Sequence, residues 1–378
     1  MRVLHVITGL AAGGAEQQLR LLVRHSAADS EVVALTNPGS VAEAIRAEGT
    51  PVHCLDMRGN RDLAALPRLV RLVRDGRFDV VHCHLYRAML YGRLAARLAG
   101  VRAVVATEHS LGDELIEGRR RTAAVHALYL AAERLGAETI AVSDTVARRM
   151  VAWGVPARRI SVVPNGIDAA EHRFDPAARE RARRRLGLDP SAVVVGGVGR
   201  LVPTKRFDVL VRAAAGLDGV TVLLVGAGPE GDGLRRLADA VGARVVLAGE
   251  SADVPAELAA MDALASPSGD ETFGLAVLEA LAAGLPVRYV RAPALEDLPP
   301  GSAPGARRIV PDDGALRAEL VALVERARRS GVSGAGDRTP PPAVAHYDIA
   351  RLAAEVDAVH ARVAGGRDRA GAGSRRGT

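Results

Sequence analysis

The densest chemistry in this 378-residue sequence is the stretch Asp270-Glu271-Thr272-Phe273-Gly274-Leu275-Ala276-Val277-Leu278-Glu279, closed by Gly284 and Pro286. Glu279 falls among Leu275, Leu278 and Leu281 on a helical repeat. A carboxylate in such an apolar helix costs several kcal/mol unless it finds a partner. Two adjacent ligand hydroxyls would supply one, and so would a structural arginine. A second set, Gly199-Arg200-Leu201-Val202-Pro203-Thr204-Lys205, places two cations five residues apart across a loop. That pattern suits a diphosphate, with arginine as a bidentate fork and lysine as a point charge. Lys205 is the single lysine among 50 basic residues, so its position in this loop carries weight. A third set, Gly13-Gly14-Ala15-Glu16, lets backbone amides approach a phosphate at a helix start, although a plain tight turn uses the same residues. His109, in Thr107-Glu108-His109-Ser110, follows an apolar run, where a side chain faces the ligand edge of an open sheet. His5, His82 and His84 occupy similar strand ends with weaker claims. No HExxH or CxxC spacing occurs, so no metal site is expected, and neither a GxSxG nor a Walker A pattern is present.

These residues need a scaffold that brings strand ends together. Short apolar runs alternate with amphipathic stretches almost from end to end. Strands are expected at Arg2 to Ile7, Glu31 to Leu35, Asp79 to His82, Ala103 to Ala106 and Glu138 to Val142. Helices are expected at Ala15 to Arg24 and Leu63 to Val73. Strands that are apolar throughout belong to parallel sheets covered on both faces. The rhythm restarts with strands at Ala192 to Val198, Val220 to Val225, Arg244 to Leu247 and Asp262 to Ala265. Helices are expected there at Phe207 to Ala215 and Gly274 to Ala283. The seam lies near Pro164-Asn165-Gly166-Ile167-Asp168, before an arginine-rich helix. This gives an N-terminal Rossmann-like domain over 1–168, a second over 169–342, a closing helix over 343–364 and a disordered tail over 365–378.

The composition narrows the field. Hydrophobic residues make up 48% and charged residues 25%, as in ordinary folded proteins. Aromatics at 3% exclude base-stacking nucleic-acid platforms. The net charge of +6 invites a nucleic-acid reading. Yet Arg119 to Arg121 and Arg179 to Arg185 read better as solvated helix faces. Peripheral contact with anionic lipid stays open, and no nucleic-acid partner is expected. Apolar runs fall short of the ~18 residues of a membrane span. MRVLHVITGLAAGG reads as a strand and turn rather than a signal peptide. Cys54 and Cys83 read as buried thiols of a reducing cytoplasm.

Taken in order, the motifs resemble the family 4 retaining glycosyltransferases of the GT-B fold. The matching pieces are Gly13-Gly14-Ala15-Glu16, Glu108-His109-Ser110, Val142-Ser143, Pro164 to Asp168, Gly199-Arg200-Leu201 with Lys205, and Glu271-x-Phe273-Gly274-x4-Glu279-x2-Ala282-x-Gly284-x-Pro286-Val287. The resemblance implies two Rossmann-like domains facing across a cleft, with a last helix crossing back to the first. It implies a bacterial, cytoplasmic hexosyltransferase that needs no metal and no cofactor. The donor is a nucleoside diphosphate sugar, with UDP favoured, and the acceptor a small molecule or lipid-linked group of a glycoconjugate, cell-envelope or natural-product pathway. Arg200 and Lys205 would hold the diphosphate and stabilise the leaving group. Glu279 would take the ribose hydroxyls and Glu271 the donor sugar. Backbone amides of Phe273, Gly274 and Leu275 would meet sugar or phosphate. His109 would touch the sugar, and Gly13 and Gly14 the phosphate. Leu111 to Arg121, with Tyr86, Arg87 and Tyr91, is where acceptor contact is expected.

One segment departs from the pattern. After Pro286-Val287 the family carries a glycine pair and an acid, whereas this chain reads Arg288-Tyr289-Val290-Arg291-Ala292-Pro293. Arg288 in a buried strand suggests either an edge position or an anionic ligand. A nucleotide-sugar 2-epimerase and a silent nucleotide-binding scaffold share the fold and remain alternatives at this point. The sequence assigns no oligomeric state.

Overall fold

The computed structural model describes residues 1–59, 62–113, 115–329 and 338–372. The chain forms two compact units, 1–166 with 349–378, and 167–348. The division falls two residues before the boundary read from the sequence, and the last helix belongs to the first unit.

In the first unit the order is β1 (Arg2–Ile7), α1 (Gly14–His25), β2 (Asp29–Ala34), α2 (Gly39–Ala47), β3 (Val52–Cys54), α3 (Ala65–Gly76), β4 (Val80–His84), α4 (Tyr86–Leu98) and β5 (Val104–Glu108). A two-stranded antiparallel hairpin follows, β6 (Leu115–Ile116) and β7 (Arg119–Arg120), then α5 (Ala123–Glu133), β8 (Glu138–Ala141), α6 (Asp144–Ala152) and β9 (Ile160–Val162). In the second unit come α7 (Pro176–Arg185), β10 (Val193–Val198), α8 (Phe207–Ala213), β11 (Val220–Val225), α9 (Gly231–Val241), β12 (Val245–Gly249), α10 (Val254–Ala260) and β13 (Ala263–Ser266). They continue with α11 (Leu275–Ala282), β14 (Val287–Tyr289), α12 (Pro293–Glu296), β15 (Ala306–Arg308), α13 (Asp313–Arg329) and α14 (Pro342–His346). The chain ends in α15 (Ile349–Ala372), back in the first unit.

Both main sheets are parallel. The first runs β3-β2-β1-β4-β5-β8-β9 and the second β12-β11-β10-β13-β14-β15. Each therefore has one place where the strand order reverses, between β1 and β4 in the first and between β10 and β13 in the second. Loops leaving adjacent strands there diverge to opposite faces and open a crevice at the carboxyl edge, the usual ligand position of a doubly wound sheet. Val3, Val80, Val105 and Ile140 line one face of the first sheet and are covered by Leu22 of α1 and by Leu352, Val356 and Val359 of α15. The second sheet packs Val195, Val222, Leu224 and Ala265 against Phe207, Leu210, Leu316 and Leu320.

Four expectations are corrected. Arg179 and Arg183 do not form a solvated face. They are 6% exposed and both pair with Asp262, at 2.6 and 2.8 Å, while donating to the carbonyls of Ala259, Ala260 and Met261. The two guanidinium groups thus satisfy the last turn of α10, whose carbonyls have no helical partner. Arg119 and Arg120 form a strand, not a helix face, and Arg121 stacks over Trp153 at 4.5 Å. The tail expected to be disordered from 365 continues α15 to Ala372, and 373–378 lie outside the described residues. Cys83 is buried as expected, its thiol pushed up to about 12, but Cys54 is half-buried. Among the described residues no helix is long and apolar enough to cross a membrane.

Candidate functional site

The carboxyl edge of the second sheet gathers one set of candidate residues. Arg200 and Lys205 lie in the loop leaving β10, and Glu271, Phe273 and Gly274 in the loop leaving β13, so they flank the reversal from its two sides. A Pro203–Lys205 3-10 turn follows Arg200, and Ser268 Oγ donates to the Thr204 carbonyl at 3.0 Å, tying the two loops together. Lys205 Nζ donates to Glu271 Oε1 at 2.6 Å, with the carboxylate 11% exposed and the lysine 28%. The two residues to which the resemblance gives different ligand groups are thus paired with each other. Arg200 is exposed, and among the described residues its guanidinium has no partner.

The loop after β13 turns sharply into α11. Gly274 takes φ +97°, a left-handed value that favours glycine, and α11 starts at Leu275. Phe273 is 2% exposed, its ring edge-on to Tyr347 at 5.2 Å. Its side chain is therefore a packing element, and its backbone is what a ligand can meet. Glu279 is half-buried on the second turn of α11, and among the described residues its carboxylate accepts no hydrogen bond. Desolvation raises its pKa, and the charge of His172 offsets this in part. An acid held in that condition gains from a ligand that donates hydroxyls to it.

The next loop was not singled out from the sequence. Gly226 N donates to the Gly249 carbonyl at 2.7 Å, and Gly199 N to the Val225 carbonyl at 2.9 Å. Leu201 N donates to the Ala227 carbonyl at 2.9 Å. Gly226 has φ +132°, and a Cβ there would lie 2.1 Å from the Gly199 carbonyl oxygen. The Arg200 loop is thus laced to the glycine turn after β11. The run Gly226-Ala227-Gly228-Pro229 was the available signal.

The atypical 288–300 segment has a structural account. Arg288 lies on β14, an inner strand between β13 and β15, which excludes the edge explanation. Its Nε donates to Glu319 Oε2 at 2.7 Å, so its partner is an internal carboxylate. Residues 293–296 form α12, and Ala294 N donates to the Phe273 carbonyl at 2.9 Å. Without a glycine pair, this segment still docks on the Glu271–Glu279 motif through the backbone.

The carboxyl edge of the first sheet gathers the rest. Gly13, extended at φ −174°, caps α1 after β1, and the Glu16 carboxylate folds back into the space that a side chain at 13 would take. Gln18 holds the seam: its Nε2 donates to the Gly166 carbonyl at 2.7 Å and its Oε1 accepts from Gly166 N at 3.0 Å. Ser143 caps α6 by accepting from Val146 N. Glu108 is fully buried, and its Oε1 accepts from Ser110 N at 2.9 Å, which fixes the turn that carries His109. Burial raises the Glu108 pKa and depresses that of His109 to about 4. His109 is therefore a neutral imidazole at pH 7, with Nε2 3.3 Å from His84 Nδ1. Behind it His5, His82 and His84 lie fully buried on β1 and β4. In the expected acceptor region, Arg119 stacks over the Tyr86 ring at 5.4 Å, and Arg149 pairs with Asp113 at 2.8 Å.

Comparison with known proteins identifies the family and the fold. Residues 12–171 match the model "Glycosyltransferase Family 4", and 192–326 match "Glycosyl transferases group 1". The D-inositol 3-phosphate glycosyltransferase of Salinispora arenicola is 35% identical over 311 residues, which cover 70% of this chain and 67% of that protein. The protein of the same name from Actinosynnema mirum is 37% identical over 238 residues, 56% of each chain. The chain thus spans between about half and two thirds of the length of these curated relatives. Among solved structures, Anabaena Alr3699/HepE in complex with UDP and glucose superposes with a TM-score of 0.80 at 22% identity, covering 94% of this chain and 98% of that one. WaaG, a glycosyltransferase involved in lipopolysaccharide biosynthesis, gives a TM-score of 0.64 at 19% identity, covering 91% and 98%. The two Rossmann-like units are those of the GT-B fold, and the chain belongs to glycosyltransferase family 4.

Proposed function

We propose that this protein is a retaining, metal-independent glycosyltransferase that moves a sugar from a nucleoside diphosphate sugar to a polyhydroxylated acceptor. The observation that carries the reading is the second sheet's reversal edge. Among the described residues, one edge presents an unpaired exposed cation, Arg200, a lysine–glutamate pair, Lys205–Glu271, and an unsatisfied carboxylate, Glu279. These are the three chemistries that a diphosphate, a sugar and a ribose require. Arg200 and Lys205 neutralise the diphosphate as the bond to the anomeric carbon breaks and negative charge grows on the departing oxygen. The protein's own cations fill the role a divalent metal plays elsewhere. Glu279 accepts from the ribose hydroxyls, and Glu271 from the donor sugar once Lys205 turns to phosphate. UDP is the favoured nucleotide, in keeping with the Anabaena structures in complex with UDP and UDP-glucose. Gly13, Gly14 and His109 are assigned to ligand contact from the first unit's edge.

The acceptor follows from the relatives' printed name. An inositol phosphate is the first acceptor to test, and a lipid-linked acceptor the second. The absence of a membrane-crossing helix among the described residues is compatible with either, at a cytoplasmic location. In a calorimetric titration with UDP, Lys205→Ala and Glu279→Ala are each expected to weaken binding by about tenfold or more, a loss of ~1.4 kcal/mol. Glu271→Gln is expected to lower donor turnover far more than UDP affinity. Unchanged affinity in both of the first two variants would remove the donor assignment.

A further inference from the structure

The first sheet holds a cluster that the proposed transfer does not use. His82 and His84 are two apart on β4, so both imidazoles leave the same face. His5 stands beside His82 in register on β1. Neighbouring strands are about 4.8 Å apart, so the three rings converge. One nitrogen from each ring lies within 4.8 Å of the others. His5 Nδ1 and His84 Nε2 are 3.1 Å apart. Two tetrahedral ligands at the usual zinc–nitrogen distance stand roughly 3.3 Å apart, so this pair already has the spacing of two ligands of one ion.

The chemistry around the rings fits the same role. Two of the three rings, His82 and His84, have second partners, as ligating histidines need. His84 Nδ1 reaches His109 Nε2, while His82 meets His360 Nε2 at 3.0 Å through Nδ1 and Thr107 Oγ1 at 2.7 Å through Nε2. Either nitrogen of His82 can turn to an ion while the other keeps a partner. Among the described residues His5 Nε2 is buried with no hydrogen-bond partner, so with Nδ1 on an ion this ring alone lacks a second partner. A cavity of about 20 Å³ adjoins His84, Thr107 and His109, with apolar side chains such as Leu19, Leu22, Val163 and Val356 on its other walls.

We propose that His5, His82 and His84 form a tri-histidine site for a zinc-class divalent ion, with water as the fourth ligand. Each ring keeps its one proton on the nitrogen turned away from the ion. Bound there, the ion ties β1 to β4 at the first sheet's reversal. The site uses none of the donor-edge residues and stands or falls independently of the glycosyl-transfer reading.

The test uses the full chain, prepared without a metal-affinity step, stripped with EDTA and dialysed against micromolar zinc. Elemental analysis is expected to give one zinc per chain, with a melting temperature that rises on zinc addition and falls back with EDTA. Cobalt in place of zinc is expected to give the visible absorption of a tetrahedral site. His5→Phe keeps ring volume, removes a ligand and is expected to cut zinc affinity about tenfold or more. Absence of bound zinc in the wild-type chain overturns the proposal, as does equal binding by His5→Phe. Should that variant fail to fold, the wild-type cobalt spectrum decides, and absent tetrahedral bands overturn it equally.

Discussion

Glu279 separates a binding role from a structural one at the level of a single residue. Desolvation raises its folded-state pKa above the unfolded value, so the folded chain binds the extra proton. The sign follows: stability falls as pH rises from the unfolded carboxyl pKa through the raised folded one. Glu279→Gln is therefore expected to be more stable than the wild type at pH 7, with the difference shrinking toward pH 4, and yet to bind nucleotide worse. Denaturant melts at the two pH values, beside UDP titrations, check both halves. A variant destabilised at pH 7 would mean that the carboxylate has a structural partner. The Lys205–Glu271 pair is the complementary case, because each partner is compensated by the other until a ligand competes. Glu271→Gln keeps a hydrogen-bond acceptor in front of Lys205 at this partly buried position, so it should move the melting temperature little.

At the scale of elements, motif residues were legible where they follow strands. Val220–Val225 and Arg2–Ile7 are mainly apolar and were read with their observed bounds. The Glu271–Glu279 motif was legible because a turn glycine, an apolar helix and a stop signal follow one another. Short elements were not legible: β14 and β15 are three residues each and include Arg288, Arg307 and Arg308, so their strand character comes from sheet pairing. The arginines of α7 were misread for a related reason. Their partner, Asp262, is about 80 residues away in sequence, and only the fold brings the charges together. This triad gives a strong prediction. Asp262→Ala leaves two buried guanidinium groups unpaired and should cost about 3–5 kcal/mol, read as a lower denaturant midpoint. The glycine turn after β11 gives another. Gly226→Ala puts a methyl group against the Gly199 carbonyl at a positive φ, which should cost more than about 2 kcal/mol and disturb the Arg200 loop. A variant with wild-type stability and UDP affinity would show that the two loops are independent.

At the scale of the whole molecule, the chain leaves its first unit at 166 and returns to it at 349. The returning helix α15 covers an apolar face through Leu352, Val356 and Val359, so the first unit is incomplete without it. Ending the chain at Asp348 should abolish the cooperative melt of the first unit and leave that of the second. The two-unit plan was legible because the strand–helix rhythm restarts in mid-sequence. The return of the last helix came only from the family resemblance, since a helix pattern does not say which sheet it covers. The central claim is that the second sheet's reversal edge binds a nucleoside diphosphate sugar through protein cations. The most direct measurement is a thermal-shift panel of UDP, GDP, ADP and dTDP and their sugar conjugates, without added metal, on the wild type and on Lys205→Ala. Ligands that bind the native state raise the melting temperature by mass action. The account predicts a clear rise with UDP and UDP-sugars in the wild type and its loss in Lys205→Ala. No rise with any nucleotide in a cooperatively melting protein, or an equal rise in both proteins, would contradict it.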